Sequence, residues 1–232
     1  MPRKAHSRGV YLIVDSTFAP PGLHDPFLWG ADIVMHSGSK YFGGHSDLLC
    51  GVLATKRTGW TKQLFEDRMA LGNVLGNLES WLSLRSLRTF ELRVRNASQN
   101  AAKLISWLNN ALNAPSPASG SEECTVQKVL ENIFHASLQD EPWVKKQMPN
   151  GFGSVFSITM KQPVFARVLP SKLHYLQHAT SLGGVESLIE WRALSDSKVN
   201  TKLLRVSVGL ENWEDLKEDL LQAFQFLAGN SN

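Results

Sequence analysis

Apolar residues along this chain follow two regimes. Between residues 9 and 55 they form short unbroken runs, "GVYLIVD" (9–15), "ADIVMHS" (31–37) and "LLCGVLAT" (48–55). Runs of that length and composition predict buried strands of a parallel sheet covered on both faces. The intervening "STFAPPGLHDPFLWG" (16–30) is broken by prolines and glycines and predicts a loop with one helical turn. Asp15 and the segment 37–40 therefore each stand at the end of a strand, where open α/β sheets place their chemistry.

From residue 60 the spacing changes to that of helices. "WTKQLFEDRMALG" (60–72) predicts one helix, and 77–112 predicts either one long helix or two in series. Its apolar positions are Leu78, Trp81, Leu82, Leu84 and Leu87, then Val94, Ala101, Leu104, Ile105 and Leu108. A Pro/Ser/Gly-rich loop at 113–123 follows. Beyond it we expect helices near 140–148 and 163–178, with strands at 153–160, 185–191 and 203–209. A final helix covers 212–229, capped by Asn212, with Glu214 and Asp215 in its first turn. Trp213, Leu216, Leu220 and Phe224 would form its buried stripe. This pattern divides the chain into an α/β part (1–76), a connecting helix (77–112) and a small α+β domain (113–232).

Composition narrows the function classes. With 232 residues, 43% hydrophobic and 19% charged, the chain can bury a sizeable core. The net charge of +3 is slight, and the arginines of "RSLRTFELRVR" (85–95) alternate with leucines at helical spacing, so no nucleic-acid-binding face is expected. No apolar run is long enough to span a membrane. The start has too short an apolar segment for a signal peptide, and the two cysteines, Cys50 and Cys124, make no paired motif. A cytoplasmic protein is expected. Cys50 reads as a small buried residue.

The chemistry concentrates in "MHSGSKYFGGHSD" (35–47). A phosphate-binding Walker loop is excluded, because Lys40 follows a serine where that motif needs glycine and precedes Tyr41 where it needs Ser or Thr. A hydrolase elbow is excluded because Leu48 stands where the second glycine belongs. His36 and His45 lack metal-ligand spacing and read as structural or solvated. A covalent role for the Lys40 amine fits better, since lysine forms Schiff bases with carbonyl compounds. Pyridoxal phosphate (PLP) is the common aldehyde partner. It needs a lysine, a carboxylate for its pyridine nitrogen and hydroxyls for its phosphate. Lys40, Asp15, Ser37 and Ser39 supply those types, although alone they do not decide the matter.

The stretch "VDSTFAPP…GADIVMHSGSKYFGGHSDLLCGVL" resembles the Cys/Met-metabolism (trans-sulfuration) family of PLP enzymes. That family includes cystathionine γ-synthase, cystathionine β- and γ-lyases and methionine γ-lyase. "SLGGVESLIE" (181–190) and "LLRVSVGLENWEDLKEDL" (203–220) resemble its later motifs, in the same order. The resemblance implies the fold-type I aminotransferase-like α/β architecture, with PLP as cofactor. It implies elimination or replacement at Cβ or Cγ of sulfur amino acids such as cystathionine. Lys40 would carry the cofactor and shuttle the substrate's Cα proton. Asp15 would pair with the pyridine nitrogen, and Thr17, Ser37 and Ser39 would lie on the cofactor side, the two serines at the phosphate. Arg205 would bind the substrate carboxylate and Ser181 would lie beside it. Family members are usually homo-oligomers.

Two departures accompany the resemblance. The chain begins a few residues before the Asp15 strand, so the first half of the cofactor domain is expected to be lacking, with an open sheet edge and exposed apolar surface. The expected product is a truncated enzyme or, as the alternative, an inactive fragment that binds a full-length homologue. In addition, "WRALSDSKVNTK" (191–202) replaces a longer Pro-x-x-x-Thr-His element.

Overall fold

The computed structural model describes residues 2–229. After a short helix α1 (Pro2–His6), three strands form the first sheet: β1 (Ile13–Asp15), β2 (Ile33–Ser37) and β3 (Gly51–Thr55). β1 and β2 are parallel, with Asp15 opposite Met35, whereas β3 runs antiparallel to β2. The expected all-parallel, doubly covered sheet is thus corrected. The Lys40 loop winds on itself as a series of turns rather than a helical crossover, and so returns β3 beside β2 in the antiparallel sense. β1 and β3 are the sheet edges, and Ile13 and Leu53 on them are more than half exposed. The loop between β1 and β2 contains a helical turn, Pro26–Trp29, capped by the Asp25 side chain accepting from Phe27 N–H.

Helix α2 (Trp60–Leu71) has no buried residue among its twelve. The long helical stretch is two helices, α3 (Asn77–Leu87) and α4 (Phe90–Leu112). Thr89 interrupts them: its hydroxyl donates to Ser86 O, taking a carbonyl that a continuous helix would use. The α3 apolar positions Leu78, Trp81, Leu84 and Leu87 are exposed. On α4 the stripe Val94, Ala101, Leu104, Ile105 and Leu108 is buried, as its spacing predicts.

The second half centres on one large core. Strands β4 (Leu130–Phe134), β5 (Val155–Met160), β6 (Gln177–His178), β7 (Leu188–Trp191) and β8 (Leu203–Ser207) lie in the order β4-β5-β8-β7-β6. All pairings are antiparallel except β6 with β7. Helices α4, α5 (Glu122–Val129) and α8 (Trp213–Gly229) pack together on it, burying Leu104, Leu108, Val126, Leu216, Leu220 and Phe224 beside Ile158 and Leu204. The start of α8 is capped by Asn212 Oδ1, which accepts from Glu214 N–H. Short helices α6 (Pro142–Gln147) and α7 (Pro163–Val168) complete the elements.

Several element boundaries differ from the sequence reading. The helix expected over 163–178 ends at Val168 and continues only as the tight turn Leu169–Lys172. Pro170 lacks an N–H, and the buried Asp219 carboxylate accepts from the N–H groups of His174 and Tyr175, holding that backbone extended. α5 and β4 were not foreseen. Ser121 starts α5 by accepting from Cys124 N–H, and the chain passes into β4 without an intervening loop.

Candidate functional site

The site grows from the loop that joins β2 to β3. Gly38 N–H donates to Cys50 O, Lys40 N–H to Ser37 O, Gly43 N–H to Gly38 O and Gly44 N–H to Lys40 O. The loop is thereby wound on itself with Lys40 at its turn. A side chain at Gly38 would run into the Cys50 side chain. Cys50 is half-buried against that glycine and free of any disulfide.

Contacts from distant elements lock the loop. Arg93 of α4 is buried and donates to Tyr41 O (2.8 Å), Phe42 O (3.3 Å) and Ser86 O (2.9 Å). Tyr41 is buried, with its hydroxyl 2.8 Å from Ser154 Oγ before β5; burial there pushes the phenol's pKa up. From the other side come residues 181–186. Val185 N–H donates to Gly44 O, and Gly183 has a φ of 75° with its Cα against the Tyr41 ring, where a Cβ would approach to 3.0 Å. Only glycine meets both demands.

This packing brings Lys40 to Ser181. Lys40 Nζ donates to Ser181 Oγ at 2.9 Å, and no carboxylate among the described residues pairs with the amine. Ser181 has a φ of 92°, a strained conformation for a residue with a side chain. Its carbonyl accepts from Arg205 Nη2 at 2.7 Å, so Lys40, Ser181 and Arg205 form one connected line. Arg205 is mostly buried, and burial lowers its guanidinium pKa.

A second line runs through the end of β1. Asp15 Oδ1 accepts from Thr17 N–H (2.9 Å) and Thr17 Oγ1 (2.6 Å), while Thr17 Oγ1 accepts from Ser37 N–H (2.8 Å). Those two hydrogen bonds hold the Asp15 carboxyl below its usual range. Asp15 is exposed, and its Oδ2 takes no hydrogen bond from the described residues. Thr17 is buried with its hydroxyl engaged on both sides, so it fixes Asp15 and Ser37 in place. Ser39 Oγ accepts from Cys50 N–H at 3.1 Å and retains its own proton to donate. His36 between these groups is buried against Phe42, its Nδ1 without a hydrogen bond and its pKa lowered by burial.

The structure therefore gathers Lys40, Ser181 and Arg205 in one line and Asp15, Thr17 and Ser37 in another, with Asp15 and Ser37 ending the adjacent strands β1 and β2. The scan of protein families matches residues 1–225 to the model for Cys/Met metabolism PLP-dependent enzymes. The chain belongs to that family. It is 33% identical over 232 residues to the cystathionine γ-synthase/O-acetylhomoserine (thiol)-lyase of Bacillus subtilis, covering 95% of this chain and 54% of the relative. A cystathionine β-lyase of Lactococcus lactis is also 33% identical, over 96% of this chain and 57% of its own length. A solved cystathionine γ-synthase from Xanthomonas oryzae superposes with a TM-score of 0.84 at 29% identity, covering 99% of this chain and 59% of that one. The chain thus spans little more than half the length of the relatives it matches. Its fold is that of the matching portion of these PLP enzymes.

The family's cofactor demands suit the residues present. An amine held by a hydroxyl, an exposed carboxylate kept ionised, and the hydroxyls of Ser37 and Ser39 are group types that PLP takes at its aldehyde, ring nitrogen and phosphate. The sequence reading missed Arg93, Tyr41 and Ser154, which build the loop, and Glu190, which pairs with Arg205. Glu190 was visible as an acid inside the apolar "SLIEW" (187–191). Arg93 had no such signal among its neighbouring arginines.

Proposed function

We propose that this chain carries the lysine-bearing part of a PLP-dependent trans-sulfuration site, acting at Cβ or Cγ of a sulfur amino acid such as cystathionine. The 2.9 Å hydrogen bond from Lys40 Nζ to Ser181 Oγ, with no competing carboxylate among the described residues, is the observation that carries this reading. Lys40 would hold PLP covalently, Asp15 would meet its ring nitrogen, and Ser37 and Ser39 its phosphate. When bound, the cofactor supplies an electron sink for the bond breaking at the substrate's Cα.

The chain's own groups then divide the work. The Lys40 amine takes the Cα proton and later returns one, and Ser181 Oγ orients it by accepting its hydrogen bond. Arg205 holds the substrate carboxylate through its planar guanidinium, fixing which face of Cα meets Lys40. Thr17 keeps Asp15 ionised and aligned. The reading is tested by supplying PLP and cystathionine to the purified chain and following thiol and keto-acid release. Release by the wild type and none by Lys40→Ala is expected; equal release from both would exclude Lys40 from the reaction.

A second reading rests on a separate observation. The exposed apolar row Leu78, Trp81, Leu84 and Leu87 on α3 favours association with another chain, a second copy or a longer homologue. A chain that binds a homologue yet takes up no PLP would support a non-catalytic partner role.

A further inference from the structure

Glu190 lies buried in β7, directly opposite Arg205 of β8. Its carboxylate is shared between two arginines. Oε1 accepts from Arg192 Nη1 at 2.8 Å and from Ser195 Oγ at 2.6 Å. Oε2 stands 2.7 Å from Arg205 Nη2 but off the line of a hydrogen bond. Burial alone would push the Glu190 carboxyl up. The hydrogen bonds from Ser195 and Arg192 and the charges of Arg205 and Arg192 outweigh it and hold the group ionised.

Two guanidinium groups thus face one carboxylate, leaving a surplus of one positive charge. Arg205 also has a buried Nε with no hydrogen-bond partner. Buried donors are normally paired, so an unpaired one beside a surplus charge marks a place for an anion. An incoming carboxylate would satisfy both. Arg192 belongs to the short turn Arg192–Leu194 and is itself only partly exposed, at 30% of its side chain.

We propose that Arg192 is a positioning residue for carboxylate recognition: it holds Glu190 by Oε1 and so leaves Arg205 the positive charge that a small carboxylate ligand neutralises. This rests on the reading of Arg205 as the carboxylate-binding group. Without Arg192, Glu190 and Arg205 become a neutral pair, and a ligand carboxylate must compete with Glu190 for the same guanidinium. The ligand class is a monocarboxylate small enough to reach Arg205 from the Lys40 side.

The test is calorimetric titration of the full chain with propionate, which has a carboxylate and no amine. Wild type, Arg192→Gln, Arg192→Lys and Arg205→Gln are compared, with the thermal midpoint of each. We expect Arg192→Gln to bind about tenfold more weakly at an unchanged midpoint. Arg192→Lys should stay within about twofold of wild type, because it restores the charge, and Arg205→Gln should lose binding. Full binding by Arg192→Gln with none by Arg205→Gln would overturn the role of Arg192 and leave that of Arg205 standing. Undiminished binding by Arg205→Gln, or none by wild type, would overturn both. Weakening in Arg192→Gln and Arg192→Lys alike, matched by lowered midpoints, would make Arg192 structural and also overturn the proposal.

Discussion

Lys40 Nζ donates a hydrogen bond to Ser181 Oγ across 141 positions of sequence. It joins the loop of the small sheet to the turn preceding β7, and Ser181 is the one hydrogen-bond partner of the lysine's amine among the described residues. The site is therefore a property of how the two halves pack, and disturbing either half should reach it.

Ser181 combines that contact with a strained backbone, φ 92°. Ser181→Gly should raise stability by about 1 kcal/mol, because glycine relieves the strain. Ser181→Ala should not. In an active assembly both should lower turnover by at least about tenfold, since each removes the hydroxyl that orients the Lys40 amine. Urea unfolding and steady-state kinetics on the pair separate the two effects.

Arg93 satisfies three backbone carbonyls from a buried position. Arg93→Ala should cost about 3 kcal/mol and loosen the Lys40 loop, because those carbonyls lose a charged donor. Arg93→Lys should recover only part of this, having a single nitrogen to offer. Chemical unfolding gives the energies. Hydrogen exchange at the Gly43 and Gly44 amides reports the loop.

Thr17 gives Asp15 its two hydrogen bonds, from hydroxyl and backbone. Thr17→Val removes the side-chain one, the larger influence on the carboxyl. The Asp15 pKa should then rise toward its ordinary value, as NMR titration of a carboxyl-labelled sample would show. An unmoved titration would mean that the hydroxyl does not govern Asp15.

Acid should destabilise the chain in two stages. Burial lowers the pKa of His24, His36 and His135, so the folded state resists protons that the unfolded chain accepts near pH 6.5. Stability from this source is full above that pH and falls as pH drops through it. The Asp15 and Glu190 carboxyls are held below their usual range, so their contribution persists to lower pH and is lost below about pH 4. Thermal midpoints measured from about pH 8 to pH 3 should show both declines, and His36→Gln should make the upper one shallower, leaving the shares of His24 and His135.

Local chemistry carried much of the fold into the sequence. The run 31–37 had to be a strand, the 94–108 stripe had to be a buried helix face, and Asp15 and Lys40 followed as residues at strand ends. The direction of β3 was not legible, because a buried run has the same pattern in parallel and antiparallel pairing. α5 and β4 escaped because their short segments complete each other's burial only after the chain has folded. Among the candidate site residues, Lys40, Asp15, Ser37 and Arg205 stand in stretches that resemble family motifs, which is what made them candidates. Arg93 and Tyr41 act through backbone contacts and packing that no local pattern encodes. Glu190 was legible as an acid in an apolar strand, yet its meaning depends on Arg205 lying across from it.

The most direct measurement is to incubate the purified chain with PLP, reduce with borohydride and map the labelled peptide by mass spectrometry. A reduced adduct on Lys40 that disappears in Lys40→Ala is the predicted result. A folded chain that takes no adduct, or carries it on another lysine, would contradict the account.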